Sequence, residues 1–269
     1  MENTFIRNEN TSITNINGTH NDNNTNIDVL QLQINEQNIT YLPKEIGTFF
    51  PSLENLIVYL SSLEFLEKSD FNSFLFLEIL SLTENKIATI PENTFDDLDN
   101  LKELYLSGNR IENLYSNLFR KLVNLEIIYL NNNFIETLPA GLFEHNTQLT
   151  TMSFQFNKIV TVGMDFFKSL KDLKTVWFNG NQCIDNSVVE NENSILALKE
   201  EIYEKCEDLS NFKIETTNFY FYNYNDDDAD TNEVSDYISP LIEYNAAKSN
   251  YNNYIKVIIF SLQYLIIVL

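Results

Sequence analysis

LKELYLSGNRIENLYSNLFRKLVN, residues Leu101–Asn124, is the stretch whose spacing decides the fold. Apolar side chains hold its first, fourth and sixth positions (Leu101, Leu104, Leu106) and its eleventh, fourteenth, nineteenth and twenty-second (Ile111, Leu114, Phe119, Leu122). Asn109 holds the ninth. Leu125 begins the pattern again. Stepping by 24 in both directions gives starts at Val29, Leu53, Leu77, Leu101, Leu125, Leu149 and Leu173, with no insertion between them. Seven registers in phase do not arise by accident. A fixed period of this size marks a chain built by stacking copies of one supersecondary unit.

The spacing also says what each copy is. A step of three followed by a step of two suits a short strand entered from a bend, with its inward side buried. The eleventh and fourteenth positions turn the chain back over the same interior. One copy cannot bury this face alone, so its neighbours must cover it. Each fully buried Leu, Ile or Phe contributes roughly 1.5–3 kcal/mol, and stability grows with the number of copies. The expected fold is an α/β leucine-rich-repeat solenoid: seven 24-residue repeats, a concave parallel sheet and a C-terminal helical cap.

Two columns of side chains recur between the strands. Asn85, Asn109, Asn133, Asn157 and Asn181 stand at the ninth position, where the chain leaves the strand and its backbone groups lack ladder partners. A side-chain amide supplies both a donor and an acceptor there. Gln37 and Ser61 replace the asparagine in the first two repeats, which predicts looser or water-filled turns. Phe71, Phe95, Phe119, Phe143 and Phe167 at the nineteenth position form a stacked aromatic spine.

The chain has 269 residues, 43% apolar, with a net charge of −22. This length holds one solenoid plus tails. The acidity argues against nucleic acid as a partner, which calls for a basic face. Residues 1–28 are rich in Asn and Thr and lack the basic start and apolar run of a secretory leader. Ile13 and Ile16 are candidates for a strand that partly caps the first repeat. Asn10, Asn17, Asn23 and Asn38 each open an N-glycosylation tripeptide, although three of the four lie in a stretch where chance matches arise easily.

Repeats occupy residues 29–182, and residues 183–207 read as a cap. Cys183 stands where the pattern wants an aliphatic side chain. Asn193 or Ser194 can then cap a helix whose Ile195, Leu198, Ile202 and Cys206 share one stripe. A bond between the chain's two cysteines would close the end of the core, contributing roughly 3 kcal/mol through loop entropy. The alternative is a pair of buried free thiols in a reducing compartment. Two cysteines without clustered histidines make no zinc site.

These repeats, followed by GNQCIDNS (residues 180–187), an amphipathic helix and EKCED (204–208), resemble insect-type extracellular leucine-rich-repeat proteins with a two-cysteine C-terminal cap. The resemblance covers about residues 13–207. It implies protein binding by the concave sheet, outside the cell or at its surface. Vertebrate-type caps usually hold four cysteines. Such proteins also usually begin with a leader and an N-terminal cysteine-containing cap, which this sequence lacks; either the N-terminus is incomplete or the secreted assignment fails.

Residues 208–254 leave the period. Tyr220, Tyr222, Tyr224 and Tyr237 flank Asp226, Asp227, Asp228, Asp230 and Asp236, and the expectation is a disordered acidic linker. Its Asp run lacks the spaced ligands and glycine of an EF-hand loop. Residues 255–269 form an apolar tail. Thirteen apolar-rich residues from Val257 span about 20 Å as a helix, short of the roughly 30 Å hydrocarbon core. Asn245, Ala246 and Ala247, a polar spacer and this tail match the layout of a GPI-attachment signal. A membrane-inserted tail and no attachment at all remain the alternatives.

No catalytic set, phosphate loop, metal-ligand spacing or cofactor motif stands out, so enzyme activity is not expected. The candidate site is the concave face. The third, fifth, seventh and eighth positions of each repeat point outward there. Tyr59, Tyr105, Tyr129, Phe156 and Trp177 form an aromatic row among uncharged polar residues, with Glu36, Glu84 and Glu103 the charged exceptions. Such aromatics are over-represented at interface hot spots, although Tyr and Trp also simply suit strands. A protein ligand on this face is the first expectation. An intracellular scaffold with free thiols, tethered by its tail, is the second.

Overall fold

The computed structural model describes residues 25–44, 46–189, 192–206, 241–244, 255–260 and 265–268. The chain divides into two compact units, residues 1–208 and 209–269.

The first unit is a solenoid. Its concave sheet contains β1 (Gln31–Asn35), β2 (Asn55–Tyr59), β3 (Ile79–Ser81), β4 (Glu103–Tyr105) and β5 (Ile127–Tyr129). After a short strand β6 (Thr137–Leu138) it continues with β7 (Thr151–Ser153), and after β8 (Thr161–Val162) with β9 (Thr175–Trp177). These seven concave strands are parallel, and each residue pairs with its counterpart one repeat away. Each strand begins two residues into its repeat, because the first position is still turning in from the bend. The register stacks Leu32, Leu56, Leu80, Leu104, Ile128, Met152 and Val176 into one buried row. Ile34, Val58, Leu82, Leu106, Leu130, Phe154 and Phe178 form a second. Helix is scarce inside the repeats; the first holds one short turn, α1 (Ile46–Phe49).

The asparagine column is a ladder between turns. Asn109 Oδ1 accepts from the Ile87 N–H at 3.1 Å, while its Nδ2 donates to the Leu82 and Leu106 carbonyls at 2.9 and 3.0 Å. Asn85, Asn133, Asn157 and Asn181 repeat the arrangement. Each amide thus ties its own strand exit to the preceding repeat.

The expectation of a loose second rung is corrected. Ser61 is fully buried, its Oγ accepts from the Gln37 N–H at 3.2 Å, and it lies 3.1 Å from the Ile34 carbonyl and 2.9 Å from the Tyr59 carbonyl. A hydroxyl is both donor and acceptor, so it supplies the function that the missing amide would have supplied. Gln37 behaves differently. Its side chain folds back onto the Asn35 carbonyl at 2.9 Å, on the exposed side.

The aromatic spine runs as expected from Phe71 through Phe95 and Phe119 to Phe143, with centroids 5.5–6.3 Å apart. There it bends. Phe143 meets Phe166 at 5.4 Å, and Phe166 in turn meets Phe167 at 4.8 Å. The last full repeat carries a second phenylalanine at the eighteenth position, which takes the inward place. That column also explains Asp70. Ile46, Thr94, Leu118, Leu142 and Phe166 occupy it elsewhere, all buried. Desolvation there pushes the Asp70 carboxyl up to about 6, while a hydrogen bond from the Glu67 N–H works against the rise.

The C-terminal end is closed by α2 (Glu192–Lys205), with Ile195, Leu198, Ile202 and Cys206 buried. Asn193 and Ser194 lie inside the helix rather than capping it. Cys183 and Cys206 are joined by a disulfide, with Cα atoms 5.3 Å apart, so the free-thiol alternative does not hold in this structure. Phe167 N–H donates to the Tyr203 hydroxyl at 2.8 Å, and Lys199 Nζ donates to the Leu170 carbonyl at 2.8 Å, seating the helix on the last repeat. Beyond the sequence reading, β10 (Ser187–Val189) pairs antiparallel with β9 and covers that edge of the sheet.

In the second unit, β11 (Leu241–Tyr244), β12 (Ile255–Phe260) and β13 (Leu265–Val268) form an antiparallel sheet in that order. The sequence reading placed no strand in 208–254, yet β11 lies there; Leu241 and Ile242 suit pairing with the β-branched run of the tail. The remainder of the linker, and the candidate strand around Ile13 and Ile16, lie outside the described residues. Among the described residues no helix is long and apolar enough to cross a membrane.

Candidate functional site

In β3, β4 and β5 the middle residue is buried and its two neighbours are half-exposed. Strand alternation therefore presents the third and fifth positions on the concave face, as the repeat spacing requires. On β4, β5 and β9 the fifth position is aromatic. Tyr105 and Tyr129 meet edge to face with centroids 5.2 Å apart, and Tyr129 meets Trp177 edge to face at 5.8 Å. The first distance is close to the spacing of neighbouring strands, about 4.8 Å. The second joins strands that are two spacings apart, so Tyr129 and Trp177 must lean towards each other across β7.

Ser153 is what permits that closure. It holds the fifth position on β7, between the two rings, and is 2% exposed. The fifth position faces the concave side, as strand alternation requires, but Ser153 is covered there rather than open to solvent. Its hydroxyl finds no hydrogen-bond partner among the described residues. The sequence does hold the signal: a small side chain flanked one repeat either way by Tyr129 and Trp177. Register makes it legible only once the rings are known to lean.

Glu103, at the third position of its repeat and the first residue of β4, accepts from the Tyr105 hydroxyl at 2.5 Å. Burial, then the Glu103 carboxylate, raise the Tyr105 hydroxyl above the ordinary tyrosine range. Burial and the same carboxylate also raise Tyr129. Both phenols are therefore neutral donors at any physiological pH. No cation among the described residues forms an ion pair with Glu103.

Tyr59 and Phe156 stand apart from this track. Tyr59, at the seventh position of β2's repeat, is 40% exposed. Phe156 is 57% exposed and sits not on a strand but in the turn at the eighth position. Every residue in that column has a left-handed backbone: Glu36, Leu60, Glu84, Gly108, Asn132, Phe156 and Gly180 have φ between 50° and 76°. Glycine and asparagine accept this readily, and bulky side chains do so at a cost. The column is also stepped. Any Cβ on Gly108 would strike the Glu84 carboxylate, and any Cβ on Gly180 would strike the Phe156 ring. Phe156 therefore lies over the next turn. At the seventh position, Ser107 Oγ donates to Asn131 Oδ1 and Gln155 Nε2 to Asn179 Oδ1, each at 2.6 Å.

Asn38 is exposed, as an acceptor for a glycan must be. Asn10, Asn17 and Asn23 lie outside the described residues. Among the described residues no group of His, Cys, Asp and Glu is arranged to hold a metal ion.

Comparison with known proteins agrees with the geometry. A family model described as Leucine rich repeat matches residues 51–111 and 99–159. A search of curated proteins found no match. Among solved structures, the chain is similar to the one titled "Crystal structure of TLR13-ssRNA13 complex", at 27% identity and a TM-score of 0.54. That match covers 56% of this chain and 22% of the other, so this chain spans about a fifth of its neighbour's length. Period, register, asparagine ladder and a family match over residues 51–159 converge on one conclusion: residues 29–182 fold as a leucine-rich-repeat solenoid.

Proposed function

We propose that this protein is a non-catalytic binding module, working outside the cell or at its surface, that holds a protein ligand on the concave sheet. The observation that carries this reading is the ring track of Tyr105, Tyr129 and Trp177. Three aromatic side chains already packed on each other lose little freedom when a ligand covers them. They can bury much area at low entropic cost. Tyr59 and Phe156 extend the apolar area at the second and sixth repeats.

The TLR13 structure contains ssRNA, which raises nucleic acid as a rival ligand. The four outward columns here contain no Lys or Arg and three carboxylates, Glu36, Glu84 and Glu103. A phosphate backbone needs cations to replace its counterions. The charge pattern therefore favours protein.

The Cys183–Cys206 bond supports an oxidising compartment over the intracellular scaffold reading. Glycans at Asn10, Asn17, Asn23 or Asn38, found by mass spectrometry of the protein from its native source, support it further. Attachment to a membrane through residues 255–269 belongs to the same proposal. Its test is deletion of residues 248–269, which releases a tail-anchored protein into the medium or abolishes its display; surface retention of the deleted form counts against anchoring.

The ligand reading is tested by capturing a partner with the full chain and measuring its affinity for variants. Tyr129→Ala or Trp177→Ala lowers affinity by about 1–2 kcal/mol or more, with thermal stability nearly unchanged. Undiminished binding by both variants, or a partner mapped to the convex side, overturns the concave assignment.

A further inference from the structure

We infer that the ligand segment seated on the ring track is a basic peptide, with an Arg or Lys side chain laid over Tyr129 and Trp177 beside Glu103. This rests on the concave-face reading and gives it a chemistry. Two independent features of the surface point the same way.

The first is the rings. Tyr105, Tyr129 and Trp177 form a continuous aromatic surface, half-exposed on the concave side. The faces of such rings are electron-rich and attract guanidinium and ammonium groups. Arginine gains most, since its planar head stacks on the ring as well.

The second is charge. Of the 28 side-chain positions in the four outward columns, none is Lys or Arg and three are Glu. Glu103 is the carboxylate at the track itself. The Tyr105 hydroxyl occupies Oε2 at 2.5 Å, and Oε1 accepts no hydrogen bond from the described residues. The flanking second column adds Glu54, Glu78 and Glu126 against Lys102 and Lys174, and Lys102 is already paired with Glu78 at 2.8 Å. A cation arriving at the track meets unbalanced negative charge, whereas an acidic segment is repelled. The nearest basic column is the tenth position, with Lys86, Arg110 and Lys158. It lies past the asparagine ladder, and Lys158 is engaged over the Phe134 ring at 4.8 Å.

Trp177 is the single tryptophan of the chain, so its emission reports on this site alone. The experiment selects a random peptide display library on the full chain, then titrates the enriched peptides while following Trp177 emission. A short oligouridylate and a Glu-substituted version of each peptide serve as competitors. The expected result is enrichment of peptides containing Arg or Lys, a saturable change in emission, and about tenfold weaker binding by Glu103→Gln. That substitution keeps an acceptor for the Tyr105 hydroxyl. Glu112→Gln, an equal charge change at an exposed position outside the four columns, leaves the affinity unchanged.

Peptides that shift Trp177 emission but contain no Arg or Lys overturn the basic-ligand inference and leave the concave-face reading standing. Equal weakening by Glu103→Gln and Glu112→Gln overturns it too, since non-specific attraction to an acidic protein then suffices. Oligouridylate that displaces the peptides and changes the emission also overturns it. Selected peptides that leave the emission unmoved, or no selected peptide at all, overturn both readings.

Discussion

The two ends of the solenoid are made from the same repeat and finish differently. At the C-terminal end, β10 covers the edge of β9, α2 covers the buried stripe, and the Cys183–Cys206 bond joins the last turn to the helix. Val162 N–H also donates to the Cys206 carbonyl at 2.6 Å. At the N-terminal end, β1 is the outer strand and pairs only with β2 among the described residues, with Ile27 and Leu30 exposed beside it. The ladder weakens in the same direction: full amide rungs from Asn85 onward, a serine at 61, and a Gln37 turned to solvent. In a stack where each repeat contacts only its neighbours, stability is a sum of local terms. The C-terminal repeats, which also hold the ring track, should therefore be the more resistant half.

Removing the C-terminal closure is the strongest way to break that contrast. Cys183→Ser with Cys206→Ser lowers stability by about 3 kcal/mol, from loop-closure entropy over the 23-residue separation. Hydrogen exchange reads out where the loss falls. The expectation is that protection falls first over 161–206 and that β1 to β3 change least; uniform loss would mean that the solenoid unfolds as one unit.

The next largest effect tests the ladder. Asn133→Ala leaves the buried Ile111 N–H without its acceptor and takes one of two amide donors from each of the Leu106 and Leu130 carbonyls, which keep Asn109 and Asn157, at about 2 kcal/mol. Gln37→Ala, at the other end, costs less than about 0.5 kcal/mol because its amide is already on the exposed side. Urea melts of the two variants compare the halves directly, and equal losses would refute the asymmetry.

A smaller effect, with the opposite sign, comes from Asp70. Its folded carboxyl titrates near 6 against an ordinary value of 3.8. Below about pH 4 both states hold the proton and the term favouring the folded state is fully present. As pH rises through 6 the folded state is forced to ionise in its buried column, and that stability is lost. Asp70→Asn therefore raises stability at pH 7 by about 1 kcal/mol, once screening of the partly solvated group is discounted. The gain vanishes towards pH 4. Thermal melts of both proteins across this range check the sign; a gain that persists at pH 4 would assign the effect to something other than titration.

Much of this was legible because a fixed period ties each residue to its neighbours in space. Once Asn109 is placed, the positions of Asn85 and Asn133 follow, and so does the row Leu80, Leu104, Ile128. The cap helix was legible from its stripe and from the cysteine that ends it. Illegible were features that depend on one side chain yielding to another. Asn146, at a position elsewhere held by Phe or Leu, is fully buried and donates to the Phe119 and Leu122 carbonyls at 3.0 and 2.7 Å. Its place in the twenty-second column marks the position as interior, but the period does not say that an amide there would find two carbonyls of the preceding repeat. β10 was missed because three residues after a broken repeat have no period from which to read them.

Sequence alone determined the number of concave strands, their register, the asparagine ladder from Asn85 onward and the helix that closes the C-terminal end, since all of these follow from apolar and amide spacing along one axis. Tertiary structure decided what the concave face became. Tyr129 and Trp177 are two repeats apart in the chain. Only the small Ser153 between them, the lean of both rings, and the Glu103 carboxylate against Tyr105 turn a row of aromatics into one continuous surface. Those are choices of rotamer and contact, made by packing across strands, and the period of the repeat does not encode them.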